Sequence, residues 1–160
     1  MKHYTPEGFN KAQKFIGGEH RMLIGGKFVP AGSGKTIEVV NPATTEVVGR
    51  IPQGSAKDVD AAVTAARHAF ENGPWRQMKG PERTEMLWKL ADLIARHEEE
   101  LGIIEATDVG QPISFARFGN VGASIHALKY YAGWAGRLYG EVIPETAAGD
   151  WHCYSEIEPV

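Results

Sequence analysis

The sequence predicts an α/β chain in which short strands come first, four helices follow, and extended segments return at the end. Three observations point to this. β-branched runs stopped by Gly, Asn or Pro fill residues 21–52; apolar residues recur at helical spacing from residue 58 to 138; and the period is lost again after Gly140. Four consecutive helices need a sheet or other helices on which to bury their stripes, and the leading strands look too few and too small to serve.

Residues 1–20 are polar, with Gly17-Gly18 near their end, and read as a loosely held arm with a short helical turn around Phe9 to Phe15. Arg21-Met22-Leu23-Ile24 then runs into Gly25-Gly26 and Lys27-Phe28-Val29-Pro30, a hairpin turned on the glycine pair. Thr36 to Val40 is a β-branched run stopped by Asn41-Pro42, and Thr45 to Ile51 is another stopped by Pro52. Together these strands predict a small antiparallel sheet. Ser55, three residues before Asp58, opens a helix in the manner of a capping box, and Val59, Ala62, Val63, Ala66 and Phe70 make one apolar stripe before Gly73-Pro74. Pro81 suits the first turn of the next helix, with Glu82 and Glu85 favourable near its N-terminus and Leu87, Leu90, Ala91 and Ile94 on its buried face. His97 to Glu100 is a polar break before Leu101, Ile103, Ile104 and Ala106, a third helix stopped by Gly110 and Pro112. A fourth helix is expected from Phe115 to Leu138. Beyond it come Val142-Ile143-Pro144, a turn at Gly149-Asp150, and a strand from Trp151 to Val160 that reads as leading onward, as in a piece of a larger protein.

Composition narrows the function classes. The 160 residues are 42% hydrophobic and 23% charged, ordinary for one globular domain. The net charge of −3 implies no broad basic face, which argues against nucleic acid or an acidic membrane as the main partner. A single cysteine allows no internal disulfide and suits a reducing compartment. The first residues lack the apolar run of a signal peptide, and no stretch of 18 apolar residues exists, so the expectation is a cytoplasmic protein without a membrane span.

Several motifs carry less than they suggest. Gly32-Ser33-Gly34-Lys35-Thr36 resembles the end of a phosphate-binding loop, but Val29 stands where the first glycine belongs and a strand follows instead of a helix, so a hairpin turn is expected. His97-Glu98-Glu99-Glu100-Leu101 lacks the second histidine of a zinc helix. Cys153 sits in a predicted strand with no helix N-terminus to lower its pKa, and reads as a bystander thiol. Tyr130 and Trp134 share a helix face within Lys129-Tyr130-Tyr131-Ala132-Gly133-Trp134-Ala135, which is expected to pack against neighbouring helices. Asp108 falls in the last turn of a helix, where the dipole disfavours a carboxylate, and so invites a cationic or amide partner.

Taken in order, Leu23-Ile24-Gly25-Gly26-Lys27-Phe28-Val29, Val40-Asn41-Pro42-Ala43-Thr44, Asp58-Val59-Asp60-Ala61-Ala62-Val63, Leu90-Ala91-Asp92-Leu93-Ile94, Glu105-Ala106-Thr107-Asp108-Val109-Gly110-Gln111-Pro112, Tyr130 to Ala135, Gly140-Glu141-Val142-Ile143-Pro144 and Glu158-Pro159-Val160 resemble the N-terminal third of the NAD(P)-dependent aldehyde dehydrogenase superfamily. The resemblance covers residues 21–160. It implies an N-terminal arm over 1–20, the opening of a cofactor-binding domain over 21–138, and two strands of an oligomerisation arm over 139–160, with the Rossmann core absent. It also implies a reaction in which a cysteine thiolate attacks an aldehyde, hydride passes to NAD or NADP, and a glutamate-activated water releases the acid. The catalytic Cys, Glu and Asn and the cofactor contacts would all lie beyond Val160, and Cys153 would belong to the arm. The resemblance further implies a structural Na⁺ or K⁺ held by carbonyls at Val39 or Val40 and by Asp108, and a substrate entrance lined by Gly119 and Ala123, whose small size would admit a bulky or aromatic aldehyde. The opening around Arg21 to Ile24 is similar to that of members acting on arylacetaldehydes or betaine aldehyde. The expected assembly is a homo-oligomer, dimer or tetramer, through 139–160. A second reading is a non-enzymatic module whose arm strands pair with an intact or split aldehyde dehydrogenase by edge-strand addition.

Overall fold

A computed structural model describes residues 4–144 and 149–157; Glu158-Pro159-Val160, and with them the end of the expected last strand, lie outside the described residues.

The chain opens with a docked helix where the sequence suggested a loose arm. Helix α1, Pro6–Ile16, has Pro6 at its first position, and the Thr5 hydroxyl accepts the Gly8 N–H at 3.1 Å. Ala12 is fully buried. The Glu99 carboxylate accepts the Thr5 amide and, at 3.1 Å, its hydroxyl, so a residue 94 positions away caps the helix and ties it down. At its other end α1 meets the strands: a Cβ on Gly49 would stand 2.5 Å from the Ile16 carbonyl oxygen.

Strands β1, Met22–Ile24, and β2, Lys27–Val29, pair antiparallel across Gly25 and Gly26, both at positive φ as a tight hairpin turn requires. Strands β3, Thr36–Val40, and β4, Val47–Pro52, form a second ribbon, with Thr36 opposite Pro52 and a register slip between Val39 and Val40. The strand region is therefore two separate ribbons rather than one sheet. The intervening loop is held elsewhere: the Asp58 carboxylate accepts the Gly32 N–H at 3.2 Å and draws the loop to the start of α2.

Helix α2, Ala56–Asn72, begins as its sequence signals, with the Ser55 amide and hydroxyl donating to Asp58 at 2.7 and 2.8 Å. None of its residues is buried; Val59 is 57% and Val63 61% exposed, so its apolar stripe lacks a cover among the described residues. The short α3, Pro74–Gln77, leads to α4, Gly80–Arg96, and α5, Glu98–Val109. The expected fourth helix is shorter and differently wound. Phe115–Val121 is π-helical, α6 runs from Gly122 to Ala132, and turns replace the helix after Gly133. The ribbon of β5, Val142–Ile143, and β6, Cys153–Tyr154, follows.

The helices pack in the chain α1–α5–π segment–α6–α4. Their contacts are small: Ala12, Ala91, Ala116 and Ala132 are fully buried, while no large side chain among the described residues is. The chain exposes 12285 Å², against about 7,900 Å² for a compact monomer of its mass. No helix among the described residues is long and apolar enough to cross a membrane.

Candidate functional site

The structure brings Val39 and Asp108 into one cleft. The cleft holds about 470 Å³ between α1, the β3–β4 ribbon and α5, with Phe15, Val39, Gly49, Arg50, Thr107 and Asp108 among its lining residues. Two local features create this meeting. Gly110, left-handed at φ +71°, ends α5, and a Cβ there would fall 2.6 Å from Pro42 Cγ, so the helix terminus sits against the Asn41-Pro42 turn. That turn is self-bonded: the Asn41 side-chain oxygen accepts the Ala43 N–H at 2.9 Å, and the Asn41 carbonyl accepts the Thr45 N–H at 2.7 Å. The β-bulge at Val39/Val40 breaks the ladder beside it. Val40 is exposed and does not line the cleft. Among the described residues no three His, Cys, Asp or Glu side chains converge on one point, so a cation at Asp108 would depend on backbone carbonyls.

Gly119 and Ala123 lie on the rod formed by the π segment and α6, Gly119 half-buried and Ala123 exposed. A Cβ on Gly119 would touch the Phe115 ring at 3.4 Å. Phe115 and Phe118, which precede the glycine on the same segment, are 60% and 55% exposed. Beyond the place of Phe115 at the start of a helix, nothing in the sequence marks either as a surface residue. Two aromatics stand at i and i+3 in an otherwise small-residue helix, but apolar spacing there reads as core until burial is known.

The Gly32–Thr36 segment is not the hairpin turn expected of it, because it joins β2 to β3, which lie in separate ribbons. The Gly32–Thr36 loop leads into a strand, and its Gly32 amide is already bound by Asp58. Cys153 is exposed on β6, opposite Ile143. The aromatic cluster departs from expectation. Tyr130 meets Tyr131 edge-to-face and Trp134 at a tilt, with ring centroids 5.2 and 6.3 Å away, but all three are exposed rather than packed against neighbouring helices. Beside them Lys129 also reaches α4, its Nζ 3.0 Å from Asp92 and 4.9 Å from the Trp88 ring centre.

Comparison with known proteins agrees along most of the chain. The model of the family described as the aldehyde dehydrogenase family matches residues 28–160. Aldehyde dehydrogenase family 2 member B4, mitochondrial, of Arabidopsis thaliana is 39% identical over 140 residues, 88% of this chain and 26% of that protein. The mitochondrial benzaldehyde dehydrogenase of Antirrhinum majus is 38% identical over a stretch of the same length. The NAD⁺ complex of an aldehyde dehydrogenase from Bacillus cereus superposes with a TM-score of 0.84 at 41% identity, covering 95% of this chain and 30% of that one. The match is to the N-terminal part of these structures, and the chain spans between about a quarter and a third of these relatives' length.

Proposed function

The chain belongs to the aldehyde dehydrogenase family, and from that premise we propose that it supplies the N-terminal part of an enzyme oxidising an aldehyde to a carboxylic acid with NAD⁺ or NADP⁺, and that alone it does not catalyse the reaction. The observation that carries this is the position of the thiol. Cys153 is the only cysteine in the sequence and lies exposed on a two-stranded ribbon, opposite Ile143 and not at a helix N-terminus. A thiolate nucleophile requires surroundings that lower its pKa and an oxyanion site beside it. The test is reduction of NAD⁺ by the purified chain with acetaldehyde, benzaldehyde and betaine aldehyde. No turnover above background is expected; turnover that disappears in Cys153→Ala would refute the proposal.

When bound, the nicotinamide accepts hydride in this chemistry. The residues described here do not fit a dinucleotide. Their sheets are three two-stranded antiparallel ribbons, without the parallel strands and following helix N-terminus on which a pyrophosphate rests. No cofactor contact is assigned to them.

To the cleft we assign a structural Na⁺ or K⁺ held by Asp108 and by the backbone carbonyl of Val39, Val40 lying outside the cleft. What supports this is a carboxylate at a helix C-terminus, where the dipole repels it, facing a bulged strand. The measurement is melting temperature in NaCl or KCl against choline chloride at equal ionic strength. The salt-specific rise should vanish in Asp108→Ala; an equal rise in both proteins argues against the site.

Gly119 and Ala123 are assigned to the substrate entrance, which their size opens to a bulky or aromatic aldehyde. Residues 1–20 are read as the N-terminal arm, 21–138 as the opening of the cofactor-binding domain and 139–160 as the oligomerisation arm of a dimer or tetramer. The exposure of Val142, Ile143 and Tyr154 on a ribbon that pairs with no further strand among the described residues supports the last assignment. A single thiol in 160 residues suits a reducing compartment, and the cytoplasm is the compartment assigned on that ground.

A further inference from the structure

The π-helical segment is held on one face of α5. Glu98, Gly102 and Glu105 stand at i, i+4 and i+7 on that helix and so share a side. Arg117 reaches Glu98 through Nε and Nη2, both 3.4 Å from Oε2, and its Nη1 lies 4.0 Å from Glu99 Oε1. Asn120 donates to Glu105 Oε1 at 2.8 Å. Between these two clamps Gly102 lets the backbones approach: a Cβ there would stand 2.7 Å from Arg117 Cβ and 2.9 Å from its Cα. All these side chains are half-buried, where charge-assisted contacts outweigh those in open water.

A π-helix has poorer backbone geometry than an α-helix, is rare, and tends to mark functional positions. Seven residues of it need a cause outside the segment. The wide turns also decide what the surface shows. If residues 115–121 relaxed to α-helical winding on a fixed α6, Phe115, Phe118 and Gly119 would rotate about the axis relative to Ala123.

We propose that Arg117 and Asn120 are positioning residues which, anchored on the Glu98–Gly102–Glu105 face of α5, hold residues 115–121 in π-helical form and so set how Phe115, Phe118 and Gly119 present to an aromatic aldehyde. This rests on the assignment of Gly119 and Ala123 to the substrate entrance. The two ideas fail separately, because the clamp is read by hydrogen exchange and the entrance by substrate discrimination.

Amide exchange of the full chain is the test. In the double variant Arg117→Ala/Asn120→Ala, which removes the three hydrogen bonds to Glu98 and Glu105, amides of 115–121 should exchange at least about tenfold faster, while α4 keeps its rates. Asn120→Gln, which retains the amide donor, should restore protection. Asn120→Asp, of the same shape but with a carboxylate facing Glu105, should not. Gly102→Ala, which adds a Cβ against Arg117, should release the same seven residues. Unchanged exchange of 115–121 in the double variant, equal protection in Asn120→Asp and Asn120→Gln, or acceleration spread evenly over α4, α5 and 115–121 would each overturn the clamp. The entrance assignment falls on a different result: Gly119→Leu leaving the preference between benzaldehyde and acetaldehyde unchanged once the chain is assembled with the family's remaining segments.

Discussion

At the scale of single residues, Asp58 shows how one side chain can organise two elements. Its carboxylate accepts the Ser55 amide and hydroxyl at the start of α2 and the Gly32 amide from the loop before β3. The Ser55 amide first, then the Ser55 hydroxyl, hold its pKa below the usual aspartate value. Because the folded carboxyl titrates below the unfolded one, its contribution is complete above the ordinary aspartate range and is lost as pH falls through the lowered folded value. Asp58→Ala should therefore melt at lower temperature than the parent at pH 7, and the gap should close under acid conditions below pH 3.8, the unperturbed aspartate value. Melting followed by circular dichroism at both pH values checks this; a gap that persists in acid would show that the carboxylate is not the cause. Half of the role was legible in sequence. Ser55 and Asp58 are three apart and announce a capping box, whereas Gly32 is 26 residues away and only folding brings it to the same oxygen atoms.

At the scale of elements, the helix starts and stops were readable wherever local chemistry sets them. Ser55 opens α2, Gly73-Pro74 closes it, and Gly110 ends α5 in the left-handed conformation. The errors came where a distant partner decides. Helix α1 is fastened by Glu99, and the π segment by the far face of α5, so neither could be read from its own period. The joint between α4 and α6 is made by small residues: Ala91 and Ala132 are fully buried, and the Ala132 carbonyl accepts the Thr84 hydroxyl at 2.8 Å. Side chains larger than alanine do not fit such a contact. Ala132→Leu should cost about 1–3 kcal/mol by overpacking, measured by urea unfolding. A cost below about 0.5 kcal/mol, the range of ordinary surface changes, would show that the helices can move apart freely.

At the scale of the whole molecule, the surface is the dominant fact. The excess over a compact monomer is carried by stripes that should be buried: Val59, Val63 and Phe70 on α2, Leu90 and Leu93 on α4, and Trp151 and Tyr154 near the end. Apolar surface on this scale should bind 1-anilinonaphthalene-8-sulfonate strongly and drive concentration-dependent association. Supplying the family's remaining segments in trans should suppress both; fluorescence as low as that of a compact protein, with a monomeric profile in size exclusion, would contradict the surface described here. The sequence alone determined the family, the order of strands and helices and the capped helix ends, because these rest on local spacing and on motifs read in series. Only the tertiary structure decided that α1 is docked, that Val39 and Asp108 share a cleft, that residues 115–121 are wound as a π-helix, and that the aromatic cluster is exposed. Those features depend on contacts between residues from about 15 to more than 90 positions apart, and the free energy of such contacts exists only once the chain has closed the loops that bring them together.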